Sequence, residues 1–167
     1  GDSFVFGRGS EEAQILDGNN IPYSFVPGVS SCMSVPELAG IPVTHRELSR
    51  SFTVVTGHTK NGFLDEEYIK KLAVLNTTLV FLMGLANLEK ISNLLFKHGL
   101  DKNTPCSVIS NGSLENQVKV TATVDSIYQK VKESEVKPPA IIVVGKTANF
   151  DFTKKINIGL TGSEKIQ

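Results

Sequence analysis

Cationic surplus is missing: 17 Lys and Arg residues are matched by 17 Asp and Glu. A chain that grips nucleic acid through its phosphates needs extra cations to displace counterions, so nucleic-acid binding is set aside. Long apolar runs are missing too. The longest, residues 79–86, is interrupted by Gly84 and falls well short of the roughly 18 residues a bilayer span requires. No membrane segment is therefore expected. Cysteine is scarce: Cys32 and Cys106 cannot build a disulfide framework and suit a reducing compartment, the cytoplasm. Residues 1–9 hold no basic stretch leading into an apolar core, so no signal peptide is expected in them. His45, His58 and His98 are widely spaced and no Cys-x-x-Cys occurs, so no metal site is expected. Gly28-Val-Ser30-Ser-Cys32 lacks the second glycine of a nucleophile elbow. Gly7-Arg-Gly9 is too short for a dinucleotide fingerprint. Serine hydrolase and Rossmann dehydrogenase chemistry are both disfavoured.

What is present is enough apolar material for a core, 40% of residues, too much for a disordered chain. Strands and helices alternate along it. Pro22–Val26 reads as a short strand, and Ser34-Val-Pro-Glu37 as a capping box with Pro36 in a first helical turn. Gly40–Arg46 reads as an extended connector, since residues before proline avoid the helical region. Phe52–Thr56 is a β-branched strand stopped by Gly57. Asp65 caps a helix with Glu66 and Glu67 in its first turn and Ile69, Leu72, Ala73 and Leu75 as its apolar positions. Thr78–Met83 is a buried strand. Asn87 caps the next helix, which carries Leu88, Ile91, Leu94 and Leu95 and ends at Gly99 in a left-handed cap with Leu100 packing back. Cys106–Ser110 and Gln117–Thr123 are strands, the second half exposed because Val118, Val120 and Ala122 alternate. Val124, Ile127, Tyr128 and Val131 mark a helix, Lys137-Pro-Pro139 a break, and Ala140–Val144 a last strand.

This rhythm predicts an α/β fold with a mixed open sheet and flanking helices, the close pair within 106–123 supplying an antiparallel neighbour. Residues 1–39 are too little for a domain and read as the C-terminal remnant of an earlier one. Residues 40–50 connect it to a small α/β domain, 51–147. Residues 148–167 form a tail or the start of a further domain.

Gly, Ser and Thr gather where predicted strands end: 26–31, 56–58, 82–84 and 110–113. Ligands of open α/β sheets bind outside the carboxyl ends of strands, where small residues let the backbone approach. Together the four segments predict a ligand cleft.

Residues 1–13 (Gly-Asp-Ser-Phe-Val-Phe-Gly-Arg-Gly-Ser-Glu-Glu-Ala), Val26-Pro-Gly28, Ala39-Gly-Ile-Pro-Val-Thr-His-Arg46, Val55-Thr-Gly-His58 and Thr78-Leu-Val-Phe-Leu-Met-Gly84 occur in that order. The set resembles the uroporphyrinogen-III C-methyltransferase branch of the S-adenosylmethionine-dependent tetrapyrrole methylases, over residues 1 to about 146. The resemblance implies the tetrapyrrole methylase fold, two α/β domains with S-adenosylmethionine between them, usually as a homodimer. It implies that Gly1, Asp2, Val5, Ser30, Ser31, Met83 and Gly112 line the cofactor, with no metal. Ser3, Ser10 and Ser113 stand where the family has proline, glycine and threonine. Ser3 loosens its loop.

The implied reaction is methyl transfer to two pyrrole carbons of uroporphyrinogen III, giving precorrin-2 for sirohaem or cobalamin. That substrate is rich in carboxylates, which the rigid guanidinium fork pairs with in bidentate fashion. Arg8 and Arg46 fall within the branch-specific motifs and are the expected clamps, with Glu11 orienting Arg8 or a pyrrole N–H; His45 and His58 are expected to be structural. The family's proton-transfer residues are expected upstream of Gly1, which makes this chain a fragment without methyl transfer of its own. Residues 155–160 are expected to form a new strand, either opening a fused uroporphyrinogen-III synthase or pairing with the sheet as a tail. The reading from another class is a non-catalytic ligand-binding or dimerisation domain on the same scaffold.

Overall fold

A computed structural model describes residues 1–57 and 64–155. The described helices are α1 (Gly9–Gly18), α2 (Ser31–Leu38), α3 (Glu66–Ala73), α4 (Leu88–Lys97) and α5 (Ile127–Lys132). The strands are β1 (Phe52–Thr56), β2 (Thr78–Leu82), β3 (Pro105–Ser110), β4 (Val118–Thr123) and β5 (Ala140–Val144). They form one sheet in the order β1-β2-β5-β3-β4. β1 and β2 run parallel, whereas β5 is antiparallel to both β2 and β3, and β3 to β4. The sheet is mixed, as expected, but with three antiparallel pairings rather than one, because β5 inserts between β2 and β3 instead of adding to an edge.

The period-two pattern of β2, β3 and β5 divides the core between the sheet's faces. Leu79, Phe81, Val108, Ile142 and Val144 point to one side and pack on Ile69 and Leu72 of α3, Ile91 and Leu95 of α4, and Ile127 of α5. Val80, Leu82, Ile109, Ile141 and Val143 point to the other, under Cys32 and Val35 of α2, Ile41 and Ala148. Phe81, Ile142 and Leu95 are completely buried, and full burial of each such side chain contributes about 1.5–3 kcal/mol. Hydroxyls seal the second face: Thr78 Oγ1 donates to Ser49 Oγ at 2.9 Å, and Ser107 Oγ to the Ala148 carbonyl at 2.8 Å. β4 is half buried along its whole length, as its alternation predicts for an edge.

Two caps form as read. Asp65 accepts the Tyr68 N–H at 3.0 Å. Gly99 takes φ 107°, with Leu100 N–H returning to the Leu95 carbonyl at 3.0 Å.

Three local readings are corrected. Residues 22–26 form no strand, since none of the described strands lies beside them to complete a ladder. α2 starts at Ser31, so Pro36 sits inside the helix rather than in its first turn, and the Ser34 hydroxyl donates back to the Ser30 carbonyl instead of capping. The Asn87 side chain makes no cap. A 3-10 turn, Leu85–Asn87, precedes α4, and Asn87 Nδ2 donates to the Gly57 carbonyl at 2.8 Å. The strand expected at 155–160 lies outside the described residues, apart from Lys155 at the end of a 3-10 turn, Phe152–Lys155. His58 lies outside them as well.

Candidate functional site

Because β1 and β2 are parallel and β5 reverses between β2 and β3, the carboxyl ends of β1, β2 and β3 reach one edge with the start of β5. Leu82 stands opposite Ile141, and Ser110 opposite Ala140. Gly57 donates its N–H to the Leu82 carbonyl at 2.7 Å, and a Cβ on Gly57 would lie 2.2 Å from Gly84 Cα. The loops leaving β1 and β2 therefore touch backbone to backbone.

On the α2 side of this edge is a cavity of about 340 Å³. Val5, Ser31, Met83 and Gly112, four of the residues expected at the cofactor, line it. Leu82, from the predicted cleft segment 82–84, lines it too, and its remaining walls come from Phe6, Val35, Ile109 and the Pro139–Ile141 segment, which sequence reasoning missed. The period-two pattern puts Leu82, Ile109 and Ile141 on one face, but their adjacency follows from strand order, which no local signal carries.

The other three expected cofactor residues, Gly1, Asp2 and Ser30, are not among its lining residues but lie in the adjoining loop and just before α2. Asp2 accepts the Phe4 N–H at 2.8 Å and the Gly28 N–H at 3.1 Å, and a Cβ on Gly28 would meet the Gly1 carbonyl oxygen at 2.3 Å. The loop at residues 1–9 is thus fastened to the approach to α2. These amide hydrogen bonds, that of Phe4 foremost, hold the Asp2 carboxyl below its ordinary pKa, so it stays ionised. Ser30 is the buried residue before α2, its Oγ 3.1 Å from Cys32 Sγ. Gly112 faces α2 directly: a Cβ there would meet both methyls of Val35 at 2.5 Å.

Backbone strain gathers at the same place. Among the described residues, five non-glycines adopt positive φ: Phe6, Asn20, Met83, Asn111 and Ser113. Phe6 (54°) and Met83 (55°) line the cavity, and Asn111 and Ser113 flank Gly112. Left-handed backbone at a bulky residue costs about 1–3 kcal/mol and clusters at ligand sites.

The expected substrate clamps stand elsewhere. Arg8 is exposed just before α1, its Nε 3.8 Å from Glu11 Oε1 in the first helical turn. Arg46 lines a separate hollow with His45, Ser49 and Arg50, so a second guanidinium accompanies it that the motif reading passed over. Neither arginine lines the cavity beside Met83. The His45 ring stacks on Phe150, centroids 5.5 Å apart. Among the described residues no three His, Cys, Asp or Glu are placed to hold a metal ion, and no helix is long and apolar enough to cross a membrane.

Residues 1–128 match the family model described as Tetrapyrrole (Corrin/Porphyrin) Methylases. Uroporphyrinogen-III C-methyltransferase of Methanocaldococcus jannaschii is 45% identical over 151 residues, covering 89% of this chain and 62% of the relative. Porphyrin biosynthesis protein HemD of Ruminiclostridium josui is 44% identical over 150 residues, covering 90% of this chain and 30% of the relative. The crystal structure of uroporphyrin-III C-methyl transferase from Thermus thermophilus complexed with S-adenyl homocysteine matches the fold with a TM-score of 0.74. It is 32% identical, over 88% of this chain and 63% of that one. The chain thus spans less than two thirds of the length of these relatives.

Proposed function

The chain belongs to the tetrapyrrole methylase family, and on that ground we propose that it is part of a uroporphyrinogen-III C-methyltransferase. The reading assigns it S-adenosylmethionine as methyl donor and uroporphyrinogen III as acceptor, methylated at two ring carbons to give precorrin-2. One observation carries it: small and strained residues from three separate strand ends and from the loop at 1–9 meet on a single cavity, beside Met83.

The residues present fit such a donor. A volume of about 340 Å³ lies within the roughly 300–1,000 Å³ of small-molecule sites, which are mostly apolar with a few polar groups. Val35, Leu82 and Ile141 offer apolar walls for a purine, and Ser31 a hydroxyl. When bound, the donor supplies a methyl group on a sulfonium. The chain's own part is to hold that group in place. Asp2 spends its oxygens on the Phe4 and Gly28 amides, so it shapes the loop rather than acting as a base. The apolar walls exclude water, and Met83 closes the end of β2. In a direct displacement such positioning is the main source of rate.

Arg8 and Arg46, joined by Arg50, are assigned to the substrate's carboxylates, with Glu11 orienting Arg8. Residues 1–39 are assigned to the end of a first domain, whose α2 packs on the sheet of the second, 51–147, with 40–50 as connector and 148–167 following. A homodimer, a cytoplasmic location and a fused uroporphyrinogen-III synthase complete the proposal. The length of the Ruminiclostridium josui relative, of which this chain covers 30%, favours further domains in some members.

Calorimetry with S-adenosylhomocysteine tests the core of the reading. The full-length polypeptide carrying these residues binds it saturably, and Met83→Ala weakens that binding about tenfold. Absence of saturable binding to the full-length polypeptide would refute it.

A further inference from the structure

Phe6 lines two hollows. One is the cavity beside Met83. The other, of about 240 Å³, lies over the end of β1 against the start of α3, with Val55, Thr56, Leu64, Asp65 and Tyr68 among its walls. Phe6 is common to both. Its side chain is half exposed, as are Phe4 and Phe25 of the same 1–39 segment. Its backbone sits at φ 54°, where a bulky residue is a true outlier and glycine or asparagine would be at ease. Strain of that kind gathers at ligand sites, where a side chain is held in place for what it does to its surroundings.

We infer that Phe6 is a specificity-determining residue: its ring is the partition that ends the nucleoside cavity and denies the ligand the hollow over β1. This rests on the cavity being the nucleoside site. The partition limits the length of ligand admitted, as any side chain does when it divides one groove into two pockets. Shortening it joins the hollows, and the site then takes a ligand with a bulky extension.

The test compares the full-length polypeptide with Phe6→Gly, Phe6→Asn and Phe6→Leu. Glycine and asparagine both accept the left-handed backbone while removing the ring, and leucine keeps the bulk. The probes are S-adenosylhomocysteine and two enlarged forms of it, one benzylated at the purine N6 and one at the homocysteine amine. Binding is read by calorimetry, and folding by thermal melting. The expected result is that Phe6→Gly and Phe6→Asn bind at least one enlarged probe about tenfold or more tighter than the unaltered protein does, while Phe6→Leu does not. If the unaltered protein binds S-adenosylhomocysteine but the two small variants reject the enlarged probes as it does, the partition is refuted and the nucleoside site stands. If the unaltered protein fails to bind S-adenosylhomocysteine, both fall. Loss of the fold in both small variants would make the ring a structural prop and overturn the inference.

Discussion

Gly57 and Gly84 meet so closely that a Cβ on the first would lie 2.2 Å from the Cα of the second. The contact joins the loops leaving β1 and β2 and carries the Gly57–Leu82 hydrogen bond of 2.7 Å beside it. Gly57→Ala can be accommodated only by moving backbone, which is what makes overpacking expensive. A loss of about 1–3 kcal/mol is expected in chemical denaturation, together with weaker S-adenosylhomocysteine binding. An unchanged midpoint would mean that the strand ends part freely.

Gly112 and Val35 give a contact that can be repaired. An added methyl would strike both Val35 methyls at 2.5 Å, and a β-branched side chain cannot turn out of the way. Gly112→Ala should therefore push α2 off the sheet, destabilise the protein by about 1–3 kcal/mol and distort the cavity. Val35→Ala clears the space. The double variant should recover part of the loss, giving a coupling in the mutant cycle; strictly additive effects would contradict the close approach.

Asp2 should make the loop at 1–9 sensitive to acid. Its folded-state pKa lies below its unfolded one, chiefly through the Phe4 amide and then that of Gly28. Its contribution is therefore complete above the ordinary Asp pKa of about 3.9 and disappears as pH falls through the lowered folded value. NMR titration of the Phe4 and Gly28 amides should show a common midpoint below that of a free Asp. In Asp2→Ala both amides should exchange faster at neutral pH. A midpoint at or above the free value would exclude the two hydrogen bonds.

Glu66 offers a second acid-sensitive tie. It accepts from Lys97 Nζ at 2.9 Å and lies 3.2 Å from His98 Nε2, linking the start of α3 to the end of α4. Lys97 first, then His98, lowers its pKa. The link is present above the ordinary Glu pKa of about 4.3 and is lost as pH drops through the lowered folded one. Melting temperature should fall more steeply below that pH in the native protein than in Glu66→Gln. Parallel curves would show that the pair is without consequence.

Local pattern made most elements legible. The β-branched run 52–56, the spacing of Leu88, Ile91, Leu94 and Leu95, and the alternation of Val118, Val120 and Ala122 each correspond to the element expected. The failures were local readings that tertiary contacts overrode. Asn87 has the chemistry of a cap, but the Gly57 carbonyl takes its side chain. Residues 22–26 have strand composition without a strand beside them, and composition supplies no ladder. At the candidate site, four of the seven motif residues, Val5, Ser31, Met83 and Gly112, line the cavity, while its Phe6, Ile109 and Ile141 walls were not legible.

From sequence alone follow the α/β class, the apolar faces of each strand and helix, and the glycine-rich segments at strand ends, because these depend on residues a few positions apart. Only the tertiary structure decided that β5 enters between β2 and β3, that Leu82 stands opposite Ile141, and that Arg46 lines a hollow separate from the one beside Met83. Strand order and register arise from pairing between distant segments, where the choice rests on the burial of a whole face and not on any one residue's preference.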